Sequence, residues 1–199
     1  MKKDIRIIDA NLYFKEIKTR VPLKFGPEVT TRVTCARASI TVCNGEGKTA
    51  TGWGETPLSV TWVWPSVLTY EERNERLKGF CLRLLDLWRK FAYQGHAMEI
   101  GHQFIHERLM KALDEENEGR DEAHRLPYLA ALVCDSLFDL ALHDAYGECN
   151  GVSTFDSYNR DYMNHDLAWY YTSEYQNGFA GKYPQDYLVD RKSTRLNSS

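Results

Sequence analysis

The chain begins with three runs in which apolar and polar residues alternate, and no further run of this kind follows. Ile5 to Ile17, Thr31 to Cys43 and Lys48 to Glu55 each show the period of two that is typical of a β-strand with one buried face. Between the second and third runs, Asn44-Gly45-Glu46-Gly47 supplies residues suited to a tight reversal. The order predicts an antiparallel three-stranded meander confined to the N-terminal part of the chain.

The expected inner and outer faces of these strands follow from the alternation. The residues predicted to be buried are Ile8, Ala10, Leu12 and Phe14 in the first strand and Ala36, Ala38, Ile40 and Val42 in the second. The third strand carries few large side chains because Gly52 and Gly54 flank Trp53, and such glycines often mark a close backbone approach. Between the first two strands, the stretch from Lys18 to Thr30 contains Pro22 and is predicted to be a long loop.

Helical periodicity follows the strands. A stripe of apolar residues at three- and four-residue spacing predicts a helix from about Thr69 to Tyr93. Its members are Leu77, Phe80, Cys81, Leu84, Leu85, Trp88, Phe91 and Ala92. A weaker stripe from Met98 to Ala112 predicts a second helix, and a third between Pro127 and Gly147 is apolar nearly all round, which predicts burial on more than one side. The chain is therefore predicted to be α+β: a meander followed by a bundle of about three helices.

Composition excludes several classes of protein. A net charge of −3 with scattered Lys and Arg gives little support to nucleic-acid binding. The odd set of five cysteines has no Cys-x-x-Cys pair, which argues against a disulfide framework or a zinc cage and favours a reducing cytoplasm. No signal-like segment opens the chain, and the apolar stretch from Leu126 to Cys134 is too short to cross a bilayer, so no membrane partner is expected.

The last ten residues differ from the rest of the chain. Asp190 to Ser199 contains a single apolar residue and shows no periodicity. This decapeptide resembles the translation of a common sequencing adapter. We therefore expect residues 190–199 to be a non-native tail and the natural protein to continue beyond Val189.

Two groups of residues have a spacing that a metal site can use. His102 and His106 lie four apart on a predicted helix, and Asp135, Asp139 and His143 form a row with the same spacing. A metal hydrolase built on either group is one alternative function, although structural roles are the more frequent reading of isolated motifs of this kind. A second alternative is a stand-alone α+β module that binds a protein or a small molecule.

Three motifs in order carry a resemblance to a known family. They are Arg20-Val21-Pro22-Leu23-Lys24-Phe25-Gly26, Gly52-Trp53-Gly54-Glu55 and Ala141-Leu142-His143-Asp144-Ala145-Tyr146-Gly147. Together they resemble the N-terminal capping domain of the enolase superfamily, in its mandelate racemase and muconate lactonizing enzyme branch. The resemblance covers about residues 4–152, so residues 1–152 are taken as the capping domain and 153–189 as an aromatic-rich segment leading towards a barrel.

The resemblance implies a parent enzyme larger than this chain. In that family a (β/α) barrel supplies three carboxylates for Mg²⁺ and a Lys or His base that removes a proton next to a substrate carboxylate. The barrel would lie downstream of Val189, so no catalytic or metal-binding residue is assigned here and the fragment is expected to be inactive. The implied parent is a racemase, epimerase, dehydratase or cycloisomerase, and a homo-oligomer in its full length.

The resemblance also implies where this chain would contact a small-molecule carboxylate substrate. The segments Arg20 to Thr30 and Thr56 to Pro65 are expected to close over it. The implied substrate-binding residues are Arg20, Pro22, Lys24, Phe25, Thr56, Trp62 and Trp64. Arg20 or Lys24 would bind the anion, and the aromatic residues would form an apolar wall. By residue type alone, Arg20 and Lys24 are equally well explained as solvated loop charges, and Trp62 and Trp64 as packing residues.

Overall fold

A computed structural model describes residues 3–25, 28–171 and 173–188, and it contains a four-stranded antiparallel sheet with the strand order β3-β2-β1-β4. The strands are β1 (Ile5–Phe25), β2 (Glu28–Asn44), β3 (Thr49–Pro57) and β4 (Gln94–Gly95). The predicted meander is confirmed. The short β4, which adds to β1 at Ile5 and Arg6, has no counterpart in the prediction because two residues are too few to show a period.

The described part of the chain also contains α-helices, several of which pack on the inner face of this sheet. They are α1 (Val60–Val63), α2 (Tyr70–Arg89), α3 (Ala97–Phe104), α4 (Met110–Asn117), α5 (Tyr128–Asn150) and α6 (Ser173–Phe179). A π-helical turn, Ile105–Leu109, joins α3 to α4, so the second predicted helix is one continuous rod with a local widening. The α+β prediction, a meander followed by helices, is confirmed.

The buried face of β1 changes parity near its start. The pairing of β1 with β2 is irregular between Ile7 and Asp9, and Ile5 and Ile7 are buried before this point whereas Ala10 is buried after it. Ile8 is 43% exposed, so its predicted burial is wrong. The reason is that an extra residue in one strand moves all the following side chains to the other face.

The stretch from Lys18 to Thr30 is not a loop as predicted. β1 continues into it as far as Phe25 and β2 begins at Glu28, and these paired strand ends are here called the hairpin arm, in which Leu23 pairs with Thr30. The ladder is irregular between Lys18 and Leu23, and Pro22 lies within this irregular part. A proline is compatible with a strand at such a bulge, where its missing N–H leaves no ladder bond unmade.

The helix ends are set by capping residues. Thr69 accepts a hydrogen bond from the Glu72 backbone N–H at 3.2 Å, and Glu72 accepts one from the Thr69 backbone N–H at 2.9 Å, which forms a capping box at the start of α2. α5 ends at Gly151, whose φ of +68° is the left-handed conformation that favours glycine. The prediction that Gly147 ends this helix is wrong, because Gly147 lies buried inside α5.

The core lies between the sheet and the helix pair α2 and α5. Trp88 stacks on Phe104 with ring centroids 3.7 Å apart and on Phe138 at 6.3 Å, which ties α2, α3 and α5 together. Within the described residues, one helical stretch, 122–150, is long and apolar enough to pass a length and composition test for a membrane span. Half of the tested window is buried inside the molecule, as expected for a core helix.

The aromatic-rich segment folds back onto the helices. The buried Glu99 carboxylate accepts hydrogen bonds from the backbone N–H groups of Asn164 at 2.6 Å and His165 at 2.9 Å. It also accepts one from the Asn164 side-chain amide at 2.9 Å, and that amide contacts Asp4 at 2.9 Å. Glu99 therefore fastens residues near 164 to the start of α3, and the Asn164 amide joins the same residues to Asp4, just before β1.

Candidate functional site

The Gly-Trp-Gly strand end lies directly against the backbone of α5. A Cβ atom added to Gly52 would lie 2.1 Å from the Ala145 nitrogen, and one added to Gly54 would lie 2.1 Å from the Leu137 oxygen. Distances this short cannot be accommodated by side-chain movement because backbone atoms are on the other side. The two glycines are therefore required for the close contact between β3 and α5.

The second motif supplies the other half of this contact. The Asp144 carboxylate accepts a hydrogen bond from the Trp53 backbone N–H at 2.8 Å. Gly147, one turn further along, allows Thr154 to approach, since a Cβ there would lie 2.8 Å from Thr154 Oγ1. The two motifs thus contact each other, and their residues hold the sheet to α5. They define the fold and supply no reactive group.

The two segments expected to close over a substrate are neighbours. Thr30 Oγ1 in the hairpin arm and Thr61 Oγ1 in α1 lie 3.3 Å apart, so the arm and the segment after β3 meet at one end of the molecule. Arg20, Pro22 and Lys24 are exposed along the arm. Phe25 ends β1, but its side chain lies outside the described residues, as do Gly26 and Pro27.

The remaining predicted site residues are divided between surface and core. Trp62 is 53% exposed on α1, whereas Trp64 is 1% exposed. The Trp64 carbonyl accepts a hydrogen bond from Arg73 at 2.7 Å, and its ring lies under the Arg76 guanidinium at 4.5 Å. Thr56 is half-buried and its hydroxyl contacts Ser136 at 2.8 Å. Trp62 is the tryptophan of the two that is placed to contact a ligand at the surface.

A cavity of about 610 Å³ lies beneath the hairpin arm, between the arm and the start of α2. We call it the arm groove, and its lining residues are Glu16, Lys18, Thr19, Val29, Thr30, Thr31, Arg32, Tyr70 and Glu71. Arg32 forms an ion pair with Glu71 at 2.7 Å, and the Tyr70 hydroxyl donates to the Arg32 carbonyl at 3.2 Å. Burial is the main reason why the pKa of Tyr70 is raised, so this hydroxyl stays a donor.

Sequence reasoning missed the arm groove. The signal was present, because Glu16 and Lys18 lie on the same face of β1 as the half-buried residues Leu12 and Phe14 but are charged. When the residues on the inner face of a strand change from apolar to polar, the strand continues beyond the helices that cover it. The predicted loop concealed this signal, since residues in a loop have no common face.

The row on α5 does not gather into one site. Asp135 accepts a hydrogen bond from Trp88 Nε1 at 2.9 Å, and burial raises its pKa to about 8. His143 Nδ1 contacts the Tyr158 hydroxyl at 2.7 Å, while His143 Nε2 lies 3.7 Å from Asp139. Burial lowers the pKa of His143, which favours the neutral ring. Asp135 is thus engaged with Trp88, whereas Asp139 and His143 contact each other away from it.

The His102 and His106 pair packs against the aromatic-rich segment. The two rings lie 4.4 Å apart, and the His102 ring lies 4.9 Å from Trp169 and 5.0 Å from Tyr170. Burial, followed by the nearby His106, lowers the pKa of His102. Across residues 3–25, 28–171 and 173–188, no group of three or more His, Cys, Asp or Glu side chains is arranged to hold a metal ion. The described residues therefore do not fit a Mg²⁺ site.

The fold and its contacts define an α+β domain that presents a hairpin arm and a short helix at one end. No protein-family model and no curated protein matches the chain. Solved structures do: an enolase from Bradyrhizobium, in complex with magnesium and mandelic acid, is 15% identical with a TM-score of 0.43 over 76% of this chain and 34% of its own. L-talarate/galactarate dehydratase from Salmonella typhimurium is 15% identical with a TM-score of 0.42, over 74% and 31%.

A third similar structure is a member of the enolase superfamily from Roseovarius nubinhibens, 16% identical with a TM-score of 0.37 over 72% of this chain and 31% of its own. The chain thus spans about a third of the length of the solved structures it matches.

Proposed function

We propose that this chain is the capping and substrate-specificity domain of a Mg²⁺-dependent enzyme of the enolase superfamily, in the mandelate racemase and muconate lactonizing enzyme branch. The parent is proposed to remove a proton next to a substrate carboxylate and to act as a racemase, epimerase, dehydratase or cycloisomerase. The magnesium ligands and the base belong to a barrel that follows residue 189. This chain is proposed to be inactive by itself.

The observation that carries the proposal is the contact between the two resembling motifs. Gly52 and Gly54 meet the backbone of α5, and Asp144 on α5 accepts the Trp53 N–H at 2.8 Å. Motifs that are weak singly gain weight when the fold makes each necessary to the other, because chance similarity does not require them to touch. The adjacency of the arm and α1 at Thr30 and Thr61 adds to this support.

The residues of this chain are proposed to select the substrate rather than transform it. Arg20 and Lys24 are exposed cations on the arm, and neither forms an ion pair within the described residues. Each can donate a charge-assisted hydrogen bond to a substrate anion, worth about 1.5–3 kcal/mol. Trp62 offers an apolar surface beside them and can exclude water when the arm and α1 close. Enzymatic rate enhancement needs about 8 kcal/mol or more, which these contacts do not supply.

The test uses the full-length parent and solvent-deuterium exchange at the carbon next to the substrate carboxylate. Arg20→Gln or Lys24→Gln should raise KM about tenfold and change kcat little, because about 1.4 kcal/mol of binding corresponds to a factor of ten. Lys15→Gln is the matched control, since Lys15 is an exposed cation of β1 outside the arm. An unchanged KM in both arm variants would remove the specificity role from these residues.

A further inference from the structure

Two like charges face each other at the mouth of the arm groove. Lys18 of β1 is paired directly with Arg32 of β2. Like charges in such a cross-strand pair destabilise a sheet. Glu71 partly neutralises Arg32 at 2.7 Å, but Lys18 forms no ion pair within the described residues. An anion bound beside Lys18 would offset this repulsion.

A buried hydroxyl without a partner lies next to Lys18. Among the described residues, Thr19 Oγ1 is buried and makes no hydrogen bond, and Thr19 lines the arm groove. A buried polar group left without a partner costs about 1–3 kcal/mol. This hydroxyl can donate to the same anion that Lys18 attracts. The two side chains therefore mark the anion-binding end of the groove.

The groove carries the opposite charge a short way along the same strand. Glu16 lines the groove, lies two residues before Lys18, and forms no ion pair in the described part of the chain. Residues two apart on a strand share a face and are separated by about 6.6 Å along it. Val29 is the one aliphatic residue in the described lining, so the groove favours a polar ligand over an apolar one.

We infer that the arm groove binds a small zwitterion that carries a carboxylate and an ammonium group at the two ends of a short chain. Lys18, with the Thr19 hydroxyl, binds the carboxylate, and Glu16 binds the ammonium group. A dianion would meet Glu16 and Glu71, and a dication would meet Lys18 and Arg32. The volume of about 610 Å³ lies in the range of small-molecule sites. The site is formed by this chain alone and does not depend on the reaction of the parent.

The test is an NMR titration of the 199-residue chain with γ-aminobutyrate. Butyrate and butylammonium are the matched controls, because each keeps the carbon chain and loses one of the two charges. We expect γ-aminobutyrate to shift the amide signals of the groove residues with a Kd about fivefold or more below that of either control. Equal affinity for the three compounds, or no shift with γ-aminobutyrate, would overturn the inference.

Two substitutions assign the ends of the ligand. Lys18→Gln should lower the affinity for γ-aminobutyrate to that for butylammonium, and Glu16→Gln should lower it to that for butyrate. Lys15→Gln should leave the titration unchanged, since Lys15 does not line the groove. Circular dichroism confirms that each variant is folded. Binding that survives both groove substitutions would contradict the assignment, and this outcome is independent of any activity of the full-length parent.

Discussion

At the scale of single residues, Gly52 and Gly54 determine how closely the sheet approaches α5. The backbone of the helix occupies the space where a Cβ would be placed, at 2.1 Å from the nearest atom in both cases. Neither strand nor helix can give way without loss of the β3 ladder or of helical hydrogen bonds. Substitution of these glycines is therefore a direct probe of the fold.

Gly54→Ala should lower the free energy of unfolding by about 3 kcal/mol or more, because overpacking against backbone costs more than overpacking against side chains. Urea denaturation followed by circular dichroism measures the change. Gly79→Ala is the matched control: Gly79 is exposed on α2, and a Cβ there would meet nothing within 4 Å. The control substitution should raise the free energy of unfolding by about 0.5–1 kcal/mol, because alanine has a higher helix propensity than glycine. A tolerated Gly54→Ala would contradict the contact described here.

Asp135 should make stability depend on pH in an unusual direction. Burial raises its folded-state pKa from 3.8 to about 8. Between these values the folded protein retains a proton that the unfolded chain releases, so the contribution of this group to stability is full below the unfolded pKa and is lost as pH rises towards 8. Trp88 Nε1 donates to this carboxyl, and an Asn oxygen can accept the same bond.

The measurement is the difference in unfolding free energy between Asp135→Asn and the wild type from pH 5 to pH 8. As pH rises, the free energy of unfolding of the wild type should fall relative to that of the variant by up to about 1.4 kcal/mol for each pH unit. Subtracting the two proteins removes the titration of the other groups. A difference that stays constant over this range would show that Asp135 titrates below it.

Alternation and helical periodicity predicted the strands and the main helices, but they did not predict the irregular pairing in β1 or the position of Gly147 inside α5. The alternation of apolar and polar residues predicted that Ile8 is buried. Its side chain is exposed because the pairing of β1 with β2 shifts between Ile7 and Asp9. Gly147 reads as a helix end and is buried within α5, where it admits Thr154. The bulge depends on pairing with β2 and the close approach on the segment that follows α5, and the period within one element carries no record of either contact.

At the scale of elements, α2 is fixed at its start by the capping box. Glu72 has its pKa lowered chiefly by the hydrogen bond from the Thr69 side chain, which shows that the two side chains act together. Thr69→Ala should lower the free energy of unfolding by about 1 kcal/mol, the usual effect of removing an N-cap. Thermal or urea unfolding measures it, with Thr49→Ala as the control, because Thr49 is an exposed threonine of β3 whose side chain makes no hydrogen bond within the described residues. A loss no larger than that of the control would contradict this role.

The hairpin arm is the element that sequence reasoning described least well. Pro22 and the pair Gly26 and Pro27 read as a loop, whereas β1 and β2 continue to Phe25 and from Glu28. Proline was compatible with a strand because the pairing is already irregular between Lys18 and Leu23. The prediction that this segment and the one after β3 act together stays a prediction, supported by the contact between Thr30 and Thr61.

At the scale of the whole molecule, the described residues share one hydrophobic core and contain no group of three or more His, Cys, Asp or Glu side chains arranged to hold a metal ion. Gly52, Gly54 and Asp144 belong to the motifs that carry the family resemblance, and they hold β3 against α5. On the arm, Arg20 and Lys24 are predicted to touch a ligand, and both are exposed and form no ion pair within the described residues. Residues 190–199, the expected non-native tail, lie outside the described part of the chain.

The most direct test of the account is to recover the reading frame beyond residue 189, express the full-length protein, and measure solvent-deuterium exchange next to the carboxylate of a panel of sugar acids and mandelate. The account predicts exchange that requires Mg²⁺ in the full-length protein and none in the 199-residue chain. Exchange catalysed by the short chain, or a natural stop close to residue 189 with no barrel behind it, would contradict it.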